Sequence, residues 1–337
     1  MEAGIKVLGC ILGAAVGDAM GAATETRSAE MIKEDFKGYV ETIIKPGPNC
    51  FARGCEAGTV TGDFSLAYVT AWELVGSMGV VDGRLAKRAL LNWADNPAYY
   101  RFADPNTHAA VERMRGEIAE NEFYFLACDN SKGTNGGGMK VFPIGLINPD
   151  AIDEAINDAV TLCMPTHNNN ISISGACAIA AAVSRAMDID ATLDDVLRAG
   201  VYGAIRGFNV GSCIGKKLSG PSVEKRMKLA VSIGKEGLSW EDTMIKLRDI
   251  IGAGISATES IPCVFGILAA CGGDVMSAIK MGVNIGDDTN TVATMVGAIA
   301  GTLYGVSNIP GEYIDLIDDV NDMDLRGLAN TIVKEFY

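Results

Sequence analysis

The stretch NIGDDTNTVATMVGAIAGTLYG, residues 284–305, decides the fold of this chain. Its polar beginning comprises Asp287, Asp288, Thr289, Asn290 and Thr291. From Val292 onward it is an apolar run in which glycine recurs every fourth residue. An apolar run of this length indicates a buried helix, and the oxygen-bearing side chains stand at its amino-terminal end. The stretch therefore predicts a core helix with a polar site at its start.

Glycine has the same spacing near the start of the chain. One stripe consists of Gly9, Gly13, Gly17 and Gly21, and the other of Gly297, Gly301 and Gly305. Inside a helix each glycine costs about 1 kcal/mol relative to alanine, so two such stripes imply a packing gain that larger side chains would prevent. A membrane helix dimer can also use such a stripe. The many Thr, Asn and Gly residues of residues 289–311 favour two closely packed core helices instead.

The composition favours helices over sheets. The chain has 337 residues, of which 48% are hydrophobic and 7% aromatic. A chain of this length can bury a large core, and a core built mainly of Ala, Val, Ile, Leu and Met suits packed helices. No linker rich in proline or serine divides the sequence. We predict an all-α fold in which residues 1–337 form a single domain.

Local signals agree with this prediction. Three helix starts are indicated by cap residues, namely Ser239 with Asp242, Thr192 with Asp195, and Asp324. Signals for strands are few, and residues 38–47 are the one candidate for an extended segment.

The charge limits the partners of the protein. Its formal net charge is −14, from 28 basic and 42 acidic residues. The average surface therefore repels nucleic acids and anionic membranes, and we expect neither as a partner. An anionic small ligand would need backbone N–H groups or a bound cation.

The cysteines and the first helix indicate a cytoplasmic protein. Nine cysteines are scattered without a C-x-x-C pair, which is typical of reduced thiols. The apolar stretch of residues 7–23 is interrupted by Asp18, and we interpret it as a core helix rather than a signal peptide.

Carboxylates and hydroxyls gather at predicted helix ends in three segments. These are GDAMGAATE (residues 17–25), GTVTGDFSLA (residues 58–67) and the stretch of residues 284–305, called the opening stretch below. Taken singly, such residues are more often helix caps than ligands. The opening stretch has more acceptors than one cap requires, and hard oxygen ligands suit Mg²⁺ or Ca²⁺. The only histidines, His108 and His167, have no Cys/His spacing for zinc. The segment GTNGGGMK, residues 133–140, is either a phosphate cradle or a flexible turn.

Taken in order, five motifs resemble the ADP-ribosylglycohydrolase family. They are LGCILGAAVGDAMGAATE, GTVTGDFSLA, TNGGGMKVFPIG, PTHNN and the opening stretch, and together they cover nearly the whole chain. The resemblance implies a single all-α domain with a magnesium site in a cleft. It also implies hydrolysis of the glycosidic bond between ADP-ribose and a protein side chain or small acceptor.

The resemblance assigns roles to particular residues. It implies catalytic roles for Glu25, Asp63 and Asp288. It implies metal ligands at Thr61, Asp63, Asp288, Asn290 and Thr291. It implies a substrate-binding loop of Gly133, Thr134, Asn135 and Gly136, with His167 near the ligand.

The chain departs from the family pattern at the metal site. Gly62 and Asn290 replace ligand carboxylates, Phe64 replaces a threonine, and Asp287 stands where the family has glycine. Two adjacent divalent ions carry a charge of +4 and need carboxylates to offset their repulsion. We therefore expect one tightly held Mg²⁺ rather than two, with Ca²⁺ or Mn²⁺ as alternatives.

The predicted function is metal-dependent hydrolysis of an ADP-ribosyl or related N-ribosyl compound, free or linked to a protein. Two alternatives stay open at this point. The replacements Gly62 and Asn290 are compatible with a member that binds ADP-ribose or a nucleotide without turnover. A nucleoside hydrolase is the other alternative.

Overall fold

The computed structural model describes residues 2–117 and 128–337, and these form helices with almost no sheet. The helices are α1 (Ala3–Gly21), α2 (Ala29–Asp35), α3 (Gly62–Gly76), α4 (Gly83–Ala94), α5 (Pro97–Tyr100), α6 (Pro105–Arg115), α7 (Phe142–Ile147), α8 (Ile152–Cys163), α9 (Asn170–Ala186), α10 (Leu193–Ile214), α11 (Val223–Gly234), α12 (Trp240–Ile250), α13 (Ser260–Cys271), α14 (Val275–Asn284), α15 (Thr289–Tyr304), α16 (Glu312–Asn321) and α17 (Leu325–Phe336), and the strands are β1 (Arg27–Ser28) and β2 (Gly286–Asp287). The predicted all-α fold is confirmed.

The two glycine stripes bring α1 and α15 into backbone contact. A Cβ atom added to Gly13 would overlap the carbonyl oxygen of Gly297, and one added to Gly297 would overlap that of Gly13. Gly9 faces Gly301 in the same way, four residues earlier in α1 and four residues later in α15. The helices run antiparallel, so the end of α1 lies beside the start of α15. This contact places the polar residues 289–291, at the start of α15, inside the protein.

Helix α1 is a core helix, as predicted. By length and composition alone Ala3–Gly21 could cross a membrane, but 78% of its most apolar window is buried inside the protein. Its residues pack against α15 and the carboxy-terminal helix α17.

The predicted helix starts are confirmed by hydrogen bonds. The side chain of Ser239 accepts a hydrogen bond from the backbone N–H of Asp242, and Thr192 forms a full capping box with Asp195. Asp324 caps α17. Residues 38–47 form a loop rather than a strand.

The only strands in the described part of the chain are β1 and β2, which pair antiparallel. The backbone N–H of Thr26 donates to the carbonyl oxygen of Asp287 over 2.8 Å. Asp287 has a φ of +66°, in the left-handed region that non-glycine residues rarely adopt. The strand pair fixes how the chain enters α15.

Candidate active site

Three helix ends and one loop converge where α1 meets α15. The end of α1 carries Asp18, the start of α3 carries Thr61 and Asp63, and the start of α15 carries residues 288–291. The loop of residues 133–136 approaches the same place through Asn135, whose Nδ2 donates to Asp288 Oδ2 over 2.6 Å. The structure therefore brings together side chains that are distant in sequence.

Asp63 and Asp288 meet at a single hydroxyl group. The Oγ1 atom of Thr291 lies 2.6 Å from Asp63 Oδ1 and 2.7 Å from Asp288 Oδ1. A hydroxyl has one hydrogen, so it can donate to only one of these oxygens at a time. Burial, and then the charge of Asp63, raise the pKa of Asp288 to about 7.

A second hydroxyl extends this arrangement. Thr61 Oγ1 lies 2.7 Å from Asp18 Oδ1 and 3.0 Å from Asp63 Oδ2. Asp18 also accepts hydrogen bonds from the backbone N–H groups of Thr61 and Phe64, so it holds the start of α3. Burial is the main cause that raises the pKa of both Asp18 and Asp63 to about 7.

The hydroxyl hydrogens are too few to bridge all the close contacts between oxygen atoms in this site. The series Asp18, Thr61, Asp63, Thr291 and Asp288 contains four close oxygen contacts but only two hydroxyl hydrogens. Added protons or a cation can supply the missing charge.

Glu25 lies just beyond α1. Its Oε2 atom is buried and has no hydrogen-bond partner among the described residues. Burial, followed by the charges of Asp288, Asp63 and Asp18, raises the pKa of Glu25 well above its ordinary value. A carboxyl group with a raised pKa is suited to exchange protons near neutral pH.

The side-chain amide of Asn290 directs its nitrogen towards the carboxylate of Asp63. It is buried, and its Nδ2 donates to Asp63 Oδ2 over 2.8 Å and to Thr61 Oγ1 over 3.2 Å. Its Oδ1 is buried without a partner among the described residues. The amide thus places a partial positive charge beside Asp63, where an aspartate would add a negative one.

The other departures from the family pattern have clear packing reasons. A Cβ atom at Gly62 would lie 2.8 Å from the carbonyl oxygen of Phe102, so a side chain does not fit at this position. Phe64 is fully buried and stacks on Phe142, with ring centroids 6.2 Å apart. Asp287 is exposed and lies against Gly254, outside the hydrogen-bonded cluster that the structure describes.

The loop of residues 133–136 is held from two sides. Asn135 N–H donates to the carbonyl oxygen of Ile255, and Ala257 N–H donates to that of Gly133, each over 2.9 Å. The side chain of Asn135 also donates to Ser260 Oγ over 3.0 Å. Asn135 therefore binds a carboxylate of the site instead of pointing freely at a ligand.

His167 packs against the loop of residues 133–136. It is 1% exposed, its Nε2 lies 2.9 Å from Thr134 Oγ1, and its Nδ1 lies 2.7 Å from Thr166 Oγ1. A Cβ atom at Gly136 would be 2.9 Å from the imidazole ring, so the ring packs directly on the loop. Burial lowers the pKa of His167 to about 4.

The site is lined by oxygen atoms from carboxylate, hydroxyl and amide groups. Among the described residues, no group of three or more His, Cys, Asp and Glu side chains is placed to hold a metal ion. The predicted ligands instead supply two carboxylates together with hydroxyl and amide oxygens, and an amide oxygen, that of Asn290, is buried and unpartnered. Oxygen ligands of this kind suit Mg²⁺ or Ca²⁺.

Helices that converge on acidic and hydroxyl side chains define a helical protein with a buried acidic site. The profile of the ADP-ribosylglycohydrolase family matches residues 3–337, and the chain belongs to this family. The resemblance seen in the sequence is thus confirmed.

Relatives agree with this assignment. The chain is 29% identical to the uncharacterised protein YegU of Escherichia coli K12, over 98% of this chain and 96% of that protein. It is 22% identical to the ADP-ribosylhydrolase ARH3 of Bos taurus, over 97% and 92% of the two chains. It is 24% identical to the ADP-ribosylarginine hydrolase Tri1 of Pseudomonas putida, over 93% and 74%.

A solved structure has the same fold. It is described as an ADP-ribosylglycohydrolase-related protein complex, with a TM-score of 0.69 and 21% sequence identity. The match covers 100% of this chain and 99% of that chain.

Two contributions to the site carried little signal in the sequence. From the sequence, Asp18 is interpreted only as a hydrogen-bonding residue at a helix end. Its hydrogen bonds to the start of α3 form only when the chain folds. Lys140 and Thr166 lie within the motifs TNGGGMKVFPIG and PTHNN, but the sequence predicted no role for either, although both contact the environment of His167.

Proposed function

We propose that this protein hydrolyses the glycosidic bond of an ADP-ribosyl or related N-ribosyl compound, free or linked to a protein, with the help of one divalent cation. Its family and the names of two relatives, an ADP-ribosylhydrolase and an ADP-ribosylarginine hydrolase, support this proposal. We further propose that it acts in the cytoplasm without nucleic-acid or membrane partners, in keeping with its net charge of −14.

The observation that carries the proposal is the shared hydroxyl between Asp63 and Asp288. These carboxylates, with Thr61, Thr291 and the amide oxygen of Asn290 once its side-chain amide has turned, would hold Mg²⁺, with Ca²⁺ or Mn²⁺ as alternatives. When bound, such an ion supplies Lewis-acid polarisation of an oxygen and neutralises negative charge.

Glu25 is the proposed base. In the hydrolysis, a water oxygen forms a bond to the anomeric carbon of the ribose, and the bond from that carbon to the leaving group breaks. The unpartnered Oε2 of Glu25 takes the proton that the water loses. The leaving group departs with the bonding electron pair and takes up a proton, so that the elements of water are added across the bond. The loop of residues 133–136 would hold the diphosphate end of the substrate, with Asn135 tying it to Asp288.

One ion is proposed rather than two. Gly62 offers no carboxylate and is covered by the carbonyl oxygen of Phe102. The nitrogen of Asn290 donates to Asp63 and Thr61, which offsets part of the charge of Asp63.

The test is an assay of ribosyl release. The purified protein is incubated with ADP-ribosylated acceptors, ADP-ribose conjugates and nucleosides, in Mg²⁺ or in EDTA. Asp288→Asn is the test variant, and Asp319→Asn, an exposed aspartate on α16, is the matched control. We expect release that requires Mg²⁺, is lost in D288N and persists in D319N.

A second candidate function follows from Asn290. Because its nitrogen occupies space beside Asp63, the protein could bind ADP-ribose without turning it over. Stoichiometric ADP-ribose binding with no release from any substrate would select this candidate. Release from nucleosides that added phosphates do not improve would select a nucleoside hydrolase.

A further inference from the structure

Lys140 is a buried lysine outside the carboxylate site, and burial lowers its pKa. It is 3% exposed and follows the glycine loop, and its Nζ donates to Thr166 Oγ1 over 2.7 Å. Beside it lies a cavity of about 10 Å³, lined mainly by apolar side chains such as Leu66 and Leu90. Lysine is almost never fully buried unless it is paired, so this position calls for an explanation.

The hydrogen bonds of Lys140 lead to the substrate loop. Thr166 Oγ1 also lies 2.7 Å from His167 Nδ1, and His167 Nε2 lies 2.9 Å from Thr134 Oγ1. We name this series, Lys140, Thr166, His167 and Thr134, the Lys140–Thr134 relay.

The donor and the acceptor of each hydrogen bond in the relay follow from the groups that form it. Lys140 Nζ donates to Thr166 Oγ1, which keeps its own hydrogen for His167 Nδ1. The carboxylate of Asp104, whose Oδ1 lies 4.0 Å from His167 Nε2, favours this direction because it attracts a hydrogen on Nε2. A neutral imidazole that accepts at Nδ1 carries its hydrogen on Nε2 and donates there. His167 therefore donates to Thr134.

The direction determines what Thr134 can do. Its Oγ1 accepts from His167 Nε2 and, over 2.9 Å, from Asn106 Nδ2. Asn106 is oriented by a second contact, in which its Nδ2 donates to the carbonyl oxygen of Lys132. Both lone pairs of Thr134 Oγ1 are then engaged, and its hydrogen has no acceptor among the described residues.

We propose that Lys140 is a positioning residue, which through Thr166 and His167 makes the Thr134 hydroxyl an obligate hydrogen-bond donor to an anionic oxygen of the ligand. The assignment of that ligand as the diphosphate of an ADP-ribosyl group rests on the proposed function. The direction of the relay does not rest on it.

The relay is tested by NMR on the full chain labelled with ¹⁵N-histidine. The chain has only two histidines, so His108→Asn identifies the signal of His167. We expect His167 to carry its hydrogen on Nε2 in the wild type. In Lys140→Met and Thr166→Val this tautomer should no longer be fixed, and Thr166→Ser should restore it. A wild-type His167 with its hydrogen on Nδ1 would overturn the relay, because the hydrogen bonds would then run from Thr134 towards Lys140.

The ligand part is tested by ADP-ribose binding, with and without Mg²⁺. Thr134→Val should weaken ADP-ribose binding about tenfold, as expected for a lost hydrogen bond to a charged group, whereas Thr134→Ser should not. Lys140→Met should also weaken binding and raise KM more than it lowers kcat. Wild-type affinity in T134V would overturn the role of Thr134 as a donor. Failure of the wild type to bind ADP-ribose at all would contradict the proposed function, while the tautomer of His167 would still decide the relay.

Discussion

Asp63 and Asp288, on different helices, share the single hydroxyl hydrogen of Thr291, whose oxygen lies 2.6 Å from one carboxylate and 2.7 Å from the other. Two carboxylates in this position repel each other when both are ionised, and burial strengthens the repulsion. The fold thus keeps negative charges together that a bound cation would neutralise. Several consequences can be measured.

Asp288→Asn should have opposite effects with and without a cation. In EDTA at pH 8 the variant removes a repelling buried charge, and we expect it to raise the free energy of unfolding by roughly 1 kcal/mol or more. At 100 times its Kd, Mg²⁺ should stabilise the wild type by about 2.7 kcal/mol and D288N much less. Urea unfolding under the two conditions measures both effects. D319N should behave as the wild type, and a D288N variant that Mg²⁺ stabilises fully would contradict this role of Asp288.

Asn290→Asp tests the charge balance at the same site. An aspartate here replaces a donor to Asp63 with a carboxylate, so it should destabilise the protein in EDTA by about 1–3 kcal/mol. It should also bind Mg²⁺ at least tenfold more tightly, as measured by calorimetry. Asn308→Asp makes the same change of charge at an exposed residue in the turn that follows α15 and is the control. Unchanged Mg²⁺ affinity in N290D would place Asn290 outside the ligand set.

His167 gives the protein a defined response to acid. Its pKa is lowered by burial from 6.5 to about 4, so the folded state binds fewer protons than the unfolded state between these values. The stabilisation is full above about pH 6.5 and is lost as the pH falls towards 4, by an amount on the order of 3 kcal/mol.

The variant His167→Asn removes this titration. Although it loses hydrogen bonds at pH 7, its stability should fall less steeply between pH 7 and pH 4.5 than that of the wild type. His108→Asn, at an exposed histidine, should keep the wild-type slope. Equal slopes for H167N and the wild type in urea unfolding would argue against a buried neutral imidazole.

The contact of α1 with α15 should tolerate no side chain. Gly13→Ala forces a methyl group into the carbonyl oxygen of Gly297, and we expect it to cost about 3 kcal/mol or more. Gly4→Ala, in the same helix with no atom within 4 Å of the added carbon, should be neutral or stabilising by up to about 1 kcal/mol. Similar stabilities of G13A and G4A would mean that the helices are further apart than described.

The sequence predicted the parts of the fold that depend on local pattern. The glycine stripes predicted that each helix packs closely against a neighbour, and caps such as Thr192 marked helix starts, because these patterns lie within one helix. That the two stripes contact each other appears only in the structure. Thr61, Asp63 and Asp288 were found through the family motifs, and the structure brings them together.

Contacts between distant segments could not be predicted in this way. Asn135 was expected to face the ligand, yet its amide binds Asp288, a partner that only folding brings near. The carbonyl oxygen of Phe102 explains Gly62, and a backbone atom leaves no trace in the sequence. Lys140 lies in the motif TNGGGMKVFPIG, but the motif predicts no role for it, and its contact with Thr166 from another loop depends on folding.

The most direct test of the central claim is the release of ADP-ribose from ADP-ribosylated substrates by wild type and D288N, each in Mg²⁺ and in EDTA. We expect the wild type to release ADP-ribose in Mg²⁺ but not in EDTA, and D288N to release little or none. Equal release by the two proteins, or release by the wild type that EDTA does not change, would contradict it.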